Sequence, residues 1–318
     1  MNRSPFDAPL LFDLTGRAEI AVTGKDRVSF LQGLVTNDVK KLSPGEGCAA
    51  AFLTPKGKLL AELVVLAAPN ELIVDGPAEL AGTLEQLLRK YLMFGEAAIE
   101  DRTQATGVLH LEGEGSEEIL RKGIGFVPPP EPHSSASTPG LRAARESRGG
   151  FSGFDLRVPR TLVDSTRGKL LAAGAVPSTL SVLEAARIEA GIPRWGAELT
   201  GDVLPDEAGL PARGWVSYTK GCYIGQETVA RIRTYGHVNR SLVGLLVEGA
   251  NAPVPGAELH SADSRVGAVT SATYSARLGK VVALGYVRRE SAAPGTSLTV
   301  DASGGPQPAV VTVLPVDR

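Results

Sequence analysis

One segment of the sequence gathers several residues capable of chemistry: Lys220, Gly221, Cys222, Tyr223, Ile224, Gly225, Gln226 and Glu227, running on to Arg231. The spacing predicts a helix over 226–232 with the cysteine in the loop before it. A thiol near a helix N-terminus gains from the positive end of the helix dipole, and a lysine two residues away adds positive potential. Both favour the thiolate, which is the reactive form. Gly221 and Gly225 permit a close backbone approach by a ligand. An unpaired cysteine is equally often a small buried hydrophobe in a tight turn, and the local residues alone leave both readings open.

Further clusters carry weaker signals. Arg231, Arg233, His237 and Arg240 form a basic stretch interleaved with Tyr235 and Asn239. Such a run is usually a solvated edge, and the functional alternative is an anion site. Arg187, Glu189, Arg194, Trp195 and Glu198 could be a structural ion pair beside a core indole, or the wall of a small-molecule site. Asp155 follows Gly153 and Phe154 as a lone carboxylate at a strand position. The run from Gly149 to Gly153 lacks the lysine and the strand-to-helix setting of a phosphate loop. The only cysteines are Cys48 and Cys222, and the four histidines are scattered, so neither a disulfide framework nor a zinc-ligand spacing is present.

The elements that must position these groups can be read from periodicity. Residues 18–23, 48–53, 59–66, 72–74, 97–100 and 108–111 read as strands, with the turn at Thr54, Pro55, Lys56 and Gly57 closing a hairpin. Asp26 is placed to cap a helix running through Phe30 and Leu34. Leu80, Leu84, Leu87, Leu88 and Tyr91 recur at helical steps, and their stripe is expected in a core. Residues 116–122 read as a short helix, 141–145 and 154–158 as strands, and 161–173 and 178–190 as helices. The proline- and serine-rich stretch 127–140 has no apolar period and is expected to be an exposed, mobile connection. Beyond residue 241, short β-rich runs separated by Gly and Pro predict a small antiparallel barrel or sandwich.

The fold class expected is α+β, with domains over 1–126, 141–240 and 241–318. A chain of 318 residues with 43% hydrophobic content can bury two or three cores. Its 33 basic and 35 acidic side chains give a net charge of −2, which argues against a dedicated nucleic-acid binder. No signal-peptide core or membrane-length apolar run is seen, so the expected setting is a reduced cytoplasm without membrane partners.

The run from Lys220 to Glu227 resembles the signature of YgfZ-type proteins, relatives of the glycine-cleavage aminomethyltransferase, or T-protein. Agreement extends to the stretches 30–39, 54–58, 187–193 and 225–240, and to Val266, Gly267, Thr270 and Ser271, covering nearly the whole chain in order. The resemblance implies a cloverleaf of two α+β lobes and a C-terminal antiparallel β-barrel around a central folate pocket. It implies tetrahydrofolate or a derivative as ligand, and iron–sulfur assembly factors or client enzymes as partners. Cys222, assisted by Lys220, becomes the functional centre. Asp155 would hold the polar edge of the pterin, with Leu183, Arg187, Glu189, Gly221, Gly225, Gln226, Glu227 and Arg231 around the ligand. Leu183 stands where folate-binding relatives have arginine or tryptophan. The T-protein's essential aspartate is matched to Ala61, followed by Glu62, which counts against aminomethyl transfer. The alternative function remains a folate-dependent one-carbon transferase.

Overall fold

The computed structural model describes residues 4–92 and 95–316, so residues 1–3 and 317–318 at the expected outer domain limits lie outside the described residues. In chain order the elements are β1 (Leu10–Asp13), β2 (Ala18–Thr23), α1 (Arg27–Gln32), β3 (Gly47–Leu53), β4 (Leu59–Ala67), β5 (Glu71–Gly76), α2 (Leu84–Arg89), β6 (Ala98–Asp101), β7 (Thr106–Glu112) and α3 (Ser116–Ile124). There follow β8 (Ser135–Thr138), β9 (Leu141–Arg145), β10 (Gly153–Pro159), α4 (Val163–Ala172), β11 (Val176–Pro177), α5 (Leu180–Glu189) and α6 (Gln226–Tyr235). The last part holds β12 (Arg240–Val247), β13 (Glu258–Ser261), β14 (Ser264–Ser275), β15 (Lys280–Arg288), β16 (Ser297–Ala302) and β17 (Gly305–Thr312).

These strands make a five-stranded sheet (β3-β4-β5-β2-β6), a six-stranded sheet (β11-β1-β7-β10-β9-β8) and a closed barrel (β12-β15-β14-β13-β16-β17). The α+β class with a C-terminal antiparallel barrel is therefore as expected. The pairing crosses the boundary expected at residue 126, because β1 and β7 join the sheet that contains β9 and β10.

Strand alternation gives each of the first two sheets one apolar and one polar face. In the five-stranded sheet Ile20, Val22, Ala61, Leu63, Val65 and Val74 enter one core, packed with Leu31 of α1 and with Leu84 and Leu88 of α2. The opposite face carries Glu19, Glu62 and Asp75. In the six-stranded sheet Leu109, Leu111, Phe154 and Leu156 enter another core with Leu120 and Leu170. Its opposite face carries His110, Glu112, Asp155 and Arg157. Ion pairs from Arg157 and Arg148 to Asp75 join the two polar faces.

Three local expectations are corrected. The helix of the 80–91 leucine stripe is confined to α2, preceded by a single 3-10 turn at Ala78–Leu80, although Leu84 and Leu88 are fully buried as expected. Asp26 makes no capping bond in α1; its carboxylate accepts instead from the Glu96 backbone N–H at 2.7 Å. The 127–140 stretch is not a free connection. It contains edge strand β8, Ser134 and Ser135 are buried, and the Ser135 N–H donates to the Gly45 carbonyl at 2.7 Å. Polar side chains hid this strand because its backbone, rather than apolar burial, supplies most of the attachment.

Candidate functional site

The layer between the two sheets holds a dense ionic network. His110 bridges two carboxylates, with Nδ1 2.8 Å from Asp155 and Nε2 2.6 Å from Glu112, all three side chains being fully buried. Burial disfavours the imidazolium, but hydrogen bonds to both acids outweigh it and raise the His110 pKa. Glu112 also accepts the backbone N–H groups of Arg148, Gly149 and Phe151 at 2.7–3.0 Å. The glycine-rich run thus does form an anion-binding nest, and its anion is a side chain of the same protein.

Asp155 pairs across the strands with His110 and is also held by Arg148 and by Arg157, the latter at 3.5 Å. Burial opposes its ionised form, yet Arg148 and His110 hold its pKa well below the usual carboxylate range. Asp75 is treated alike by Arg17, Arg157 and Arg148, which overcome burial and lower its pKa to about 2. The carboxylate expected to receive a ligand is therefore committed to internal partners. A ligand reaching Asp155 has to displace Arg148, whose side chain is 19% exposed.

Glu62 behaves differently. Burial raises its pKa to about 7, while Arg17, Arg148 and the Trp195 backbone N–H pull back only in part. A carboxyl group that gains and loses a proton near neutrality is suited to general acid–base work. Ala61 points the other way. It is fully buried in the core behind the sheet, where a carboxylate would meet only apolar neighbours. The carboxylate that this part of β4 presents on the inner face is Glu62, while the residue matched to the T-protein's aspartate faces the core.

Next to Trp195, a cavity of about 400 Å³ opens between α5, the 194–197 turn and the barrel, lined by Glu184, Arg194, Ala197, Thr270 and Ser271 among others. The buried Arg194 Nε has no hydrogen bond and only an ion pair with Glu184 at 3.4 Å. Arg187 and Glu198 stitch this junction together. Arg187 donates to Glu198 and Ser271, each at 2.6 Å, and to Glu184, while Glu198 also accepts from Thr270. Arg187 is thus buried in the hinge between α5 and the barrel. Glu189 pairs with Arg277 at 3.3 Å beside the same hinge. Leu183 does not line the cavity; it packs with Phe6, Leu10 and Phe12 against the six-stranded sheet.

The Cys222 segment caps the β3–β4 hairpin. The Lys220 ammonium turns inward and donates to the carbonyls of Gln32, Val35 and Asn37. Burial lowers its pKa to about 8. Lys220 is a clamp on the end of α1 and the loop after it rather than a partner of the thiol, which corrects its expected role. Gly225 has φ +83°, and a Cβ there would lie 2.6 Å from the Thr54 carbonyl, so this glycine serves the contact with the hairpin turn. Gly221 faces open space. Cys222 is exposed, separated from α6 by the turn at Ile224 and Gly225. Gln226 is half-buried, and Glu227 and Arg231 are exposed along α6. Cys48 is half-buried, and burial pushes its thiol pKa up to about 12. Glu258, His260 and Asp301 bring potential metal-ligand atoms within 4.8 Å of one another on the barrel surface.

A model of the GCVT N-terminal domain matches residues 7–216, and one of the glycine cleavage T-protein C-terminal barrel domain matches residues 240–317. The chain belongs to the glycine cleavage T-protein family. The aminomethyltransferase of Streptomyces coelicolor is 31% identical over 321 residues, spanning 96% of this chain and 85% of that one. That of Nostoc sp. is 29% identical over 329 residues, spanning 97% and 84%. The solved glycine cleavage system aminomethyltransferase T of Bartonella henselae has the same fold, with a TM-score of 0.89 at 23% identity over 98% of this chain and 87% of that one. No helix among the described residues of this T-protein relative is long and apolar enough to cross a membrane.

Proposed function

We propose that the chain binds tetrahydrofolate or a derivative between the lobes and handles its one-carbon unit beside Glu62. The observation that carries this reading is the Glu62 carboxyl, with its pKa raised to about 7 on the inner face of the first sheet. There it can hold or release a proton as an amine is attacked or expelled, and its ionised form can balance a developing iminium charge. Aminomethyl transfer, the activity for which the relatives are named, is consistent with that chemistry. Arg194 at the cavity wall, whose Nε has only an ion pair with Glu184 at 3.4 Å and no hydrogen bond, suits the carboxylate of a folate's glutamyl tail. The test is calorimetric titration with tetrahydrofolate, followed by an assay of one-carbon turnover. Saturable binding with turnover that vanishes in Glu62→Gln supports the reading, and absence of folate binding refutes it.

A second reading is favoured by the exposure of Cys222 within the Lys220–Glu227 motif. In this YgfZ-type reading, folate binds in the same place without turnover, and Cys222 supports iron–sulfur cluster assembly or repair in client enzymes. One cysteine cannot hold a cluster alone, so a partner or a small thiol would supply the other ligands. Complementation of an iron–sulfur phenotype by wild type and Glu62→Gln, but not by Cys222→Ser, selects this reading over transfer.

A further inference from the structure

A second cavity, of about 330 Å³, lies at the edge of the space between the sheets, lined in part by Glu19, Glu71, Arg102, Thr106, Arg142 and Arg157. Its volume is at the lower end of small-molecule sites, ~300–1,000 Å³. Arg102 is occupied, with ion pairs of 2.8 Å to both Glu71 and Glu100. The other two arginines are not fully used. Arg157, with a side chain only 4% exposed, has ion-pair contacts to Glu19, Asp75 and Asp155, yet its Nη1 has no hydrogen-bond acceptor. Arg142 reaches Glu71 only at 3.6 Å, and its buried Nη1 also has no acceptor. Buried donors left in this state are costly, which makes the cavity receptive to an anion. One acceptor has capacity left as well. Glu19 takes the Thr106 hydroxyl on Oε1, while its buried Oε2 has only an ion pair with Arg157 Nε at 3.3 Å and no hydrogen-bond donor.

We infer that this cavity is a binding site for inorganic phosphate, held by Arg142 and Arg157 through its oxygens and by Glu19 through its P–OH. The combination decides the ligand class. Phosphate at neutral pH carries both acceptor oxygens and a hydroxyl donor, whereas sulfate and acetate carry acceptors only. The arginine forks suit a tetrahedral oxyanion better than lysines would. The site is separate from Glu62 and the 194–197 turn, so it stands independently of the folate reading.

The test is isothermal titration of the full chain with phosphate, sulfate and acetate at equal ionic strength and pH 7. Phosphate is expected to bind saturably, and sulfate and acetate are not. Arg142→Gln is expected to weaken phosphate by about tenfold or more, with unchanged circular dichroism. Arg142→Lys, which keeps the charge and loses the fork, serves if the first variant does not fold, and it too is expected to bind more weakly. Equal effects of phosphate and sulfate would overturn the site, because both salts act alike through exclusion from protein surfaces. Wild-type phosphate affinity in the folded Arg142 variants would also overturn it.

Discussion

At the scale of single residues, two acids on facing strands have opposite fates. Asp155 is surrounded by cations and fixed as an anion, whereas Glu62 is desolvated and left with a pKa of about 7. Glu62→Gln keeps the shape and removes the titration. We expect it to preserve folding and tetrahydrofolate binding, to reduce one-carbon turnover by about 10²-fold or more, and to abolish an inflection near pH 7 in the pH–rate profile. Turnover and its pH dependence unchanged in the variant would remove Glu62 from the chemistry. Asp155→Ala is expected to act differently from loss of a ligand contact. It strips His110, Arg148 and Arg157 of a shared counter-ion, and breaking such a buried cluster costs about 3–5 kcal/mol. Urea unfolding measures that loss, and wild-type stability would mean that Asp155 is a ligand group only. The two thiols should also separate in an alkylation time course at pH 7–8. Cys222 is exposed, whereas Cys48 is half-buried with its pKa raised to about 12, so Cys222 is expected to react first.

At the scale of elements, the segment before α6 is held by Lys220 reaching the end of α1 and the loop after it, and by Gly225 lying against the hairpin turn. Lys220→Met would leave three backbone carbonyls without their donor, at a cost of about 1–3 kcal/mol. Limited proteolysis should then cut near residue 222 sooner than in wild type, and an unchanged cleavage rate would show that the clamp is dispensable. The sequence made α6, the main hairpin and the barrel legible, because apolar periodicity and turn chemistry are local properties. It concealed β1 and β8. β1 has only four residues and is specified by its partners in β7 and β11, while β8 is polar and gains its place through backbone bonds. The inner charge layer was equally concealed, since Arg17, Asp75, Arg148 and Asp155 come from distant stretches. A usable signal was present in the strands themselves. His110 with Glu112, and Asp155 with Arg157, are pairs two residues apart in otherwise apolar runs, which puts each pair on one face of its strand. The motif at 220–227 was legible as a distinct segment before α6, but Lys220 could be recognised as a clamp only once its three acceptors were brought under it.

At the scale of the whole molecule, the two sheets meet through a layer of charge beside a small apolar contact of Leu66, Ile73 and Ala144, so their association should depend on pH. Asp75 is the clearest contributor. Burial works against its anion, but Arg17, Arg157 and Arg148 lower its pKa from 3.8 to about 2. A carboxylate with a lowered native pKa stabilises the fold above its unfolded value and loses that contribution as pH falls through the native one. For Asp75 the interval runs from about 4 down to 2 and is worth about 2 kcal/mol. Asp155 and Glu112 are shifted in the same direction and steepen the acid limb. His110 has the opposite linkage. Its raised pKa contributes fully below the ordinary histidine value and is lost as pH rises through the native value. Glu62, raised to about 7, and Glu19, also raised by burial, have the same sign as His110 and begin to cost stability above the ordinary carboxyl value of about 4.5. Stability should therefore peak at about pH 4–5 and fall on both sides. The barrel core, built from Val243, Leu245, Leu259, Val281 and Val300 with no buried ion pair among them, should be less affected. Urea midpoints measured from pH 2.5 to 9 check the maximum, and Arg17→Met tests its acid side, since Arg17 is the cation that lowers Asp75 most and its side chain is 15% exposed. The variant is expected to lose stability at pH 6 and to lose less than wild type on going from pH 4 to 2.5. An acid limb as steep in Arg17→Met as in wild type would mean that the charge layer between the sheets does not set the pH dependence of this fold.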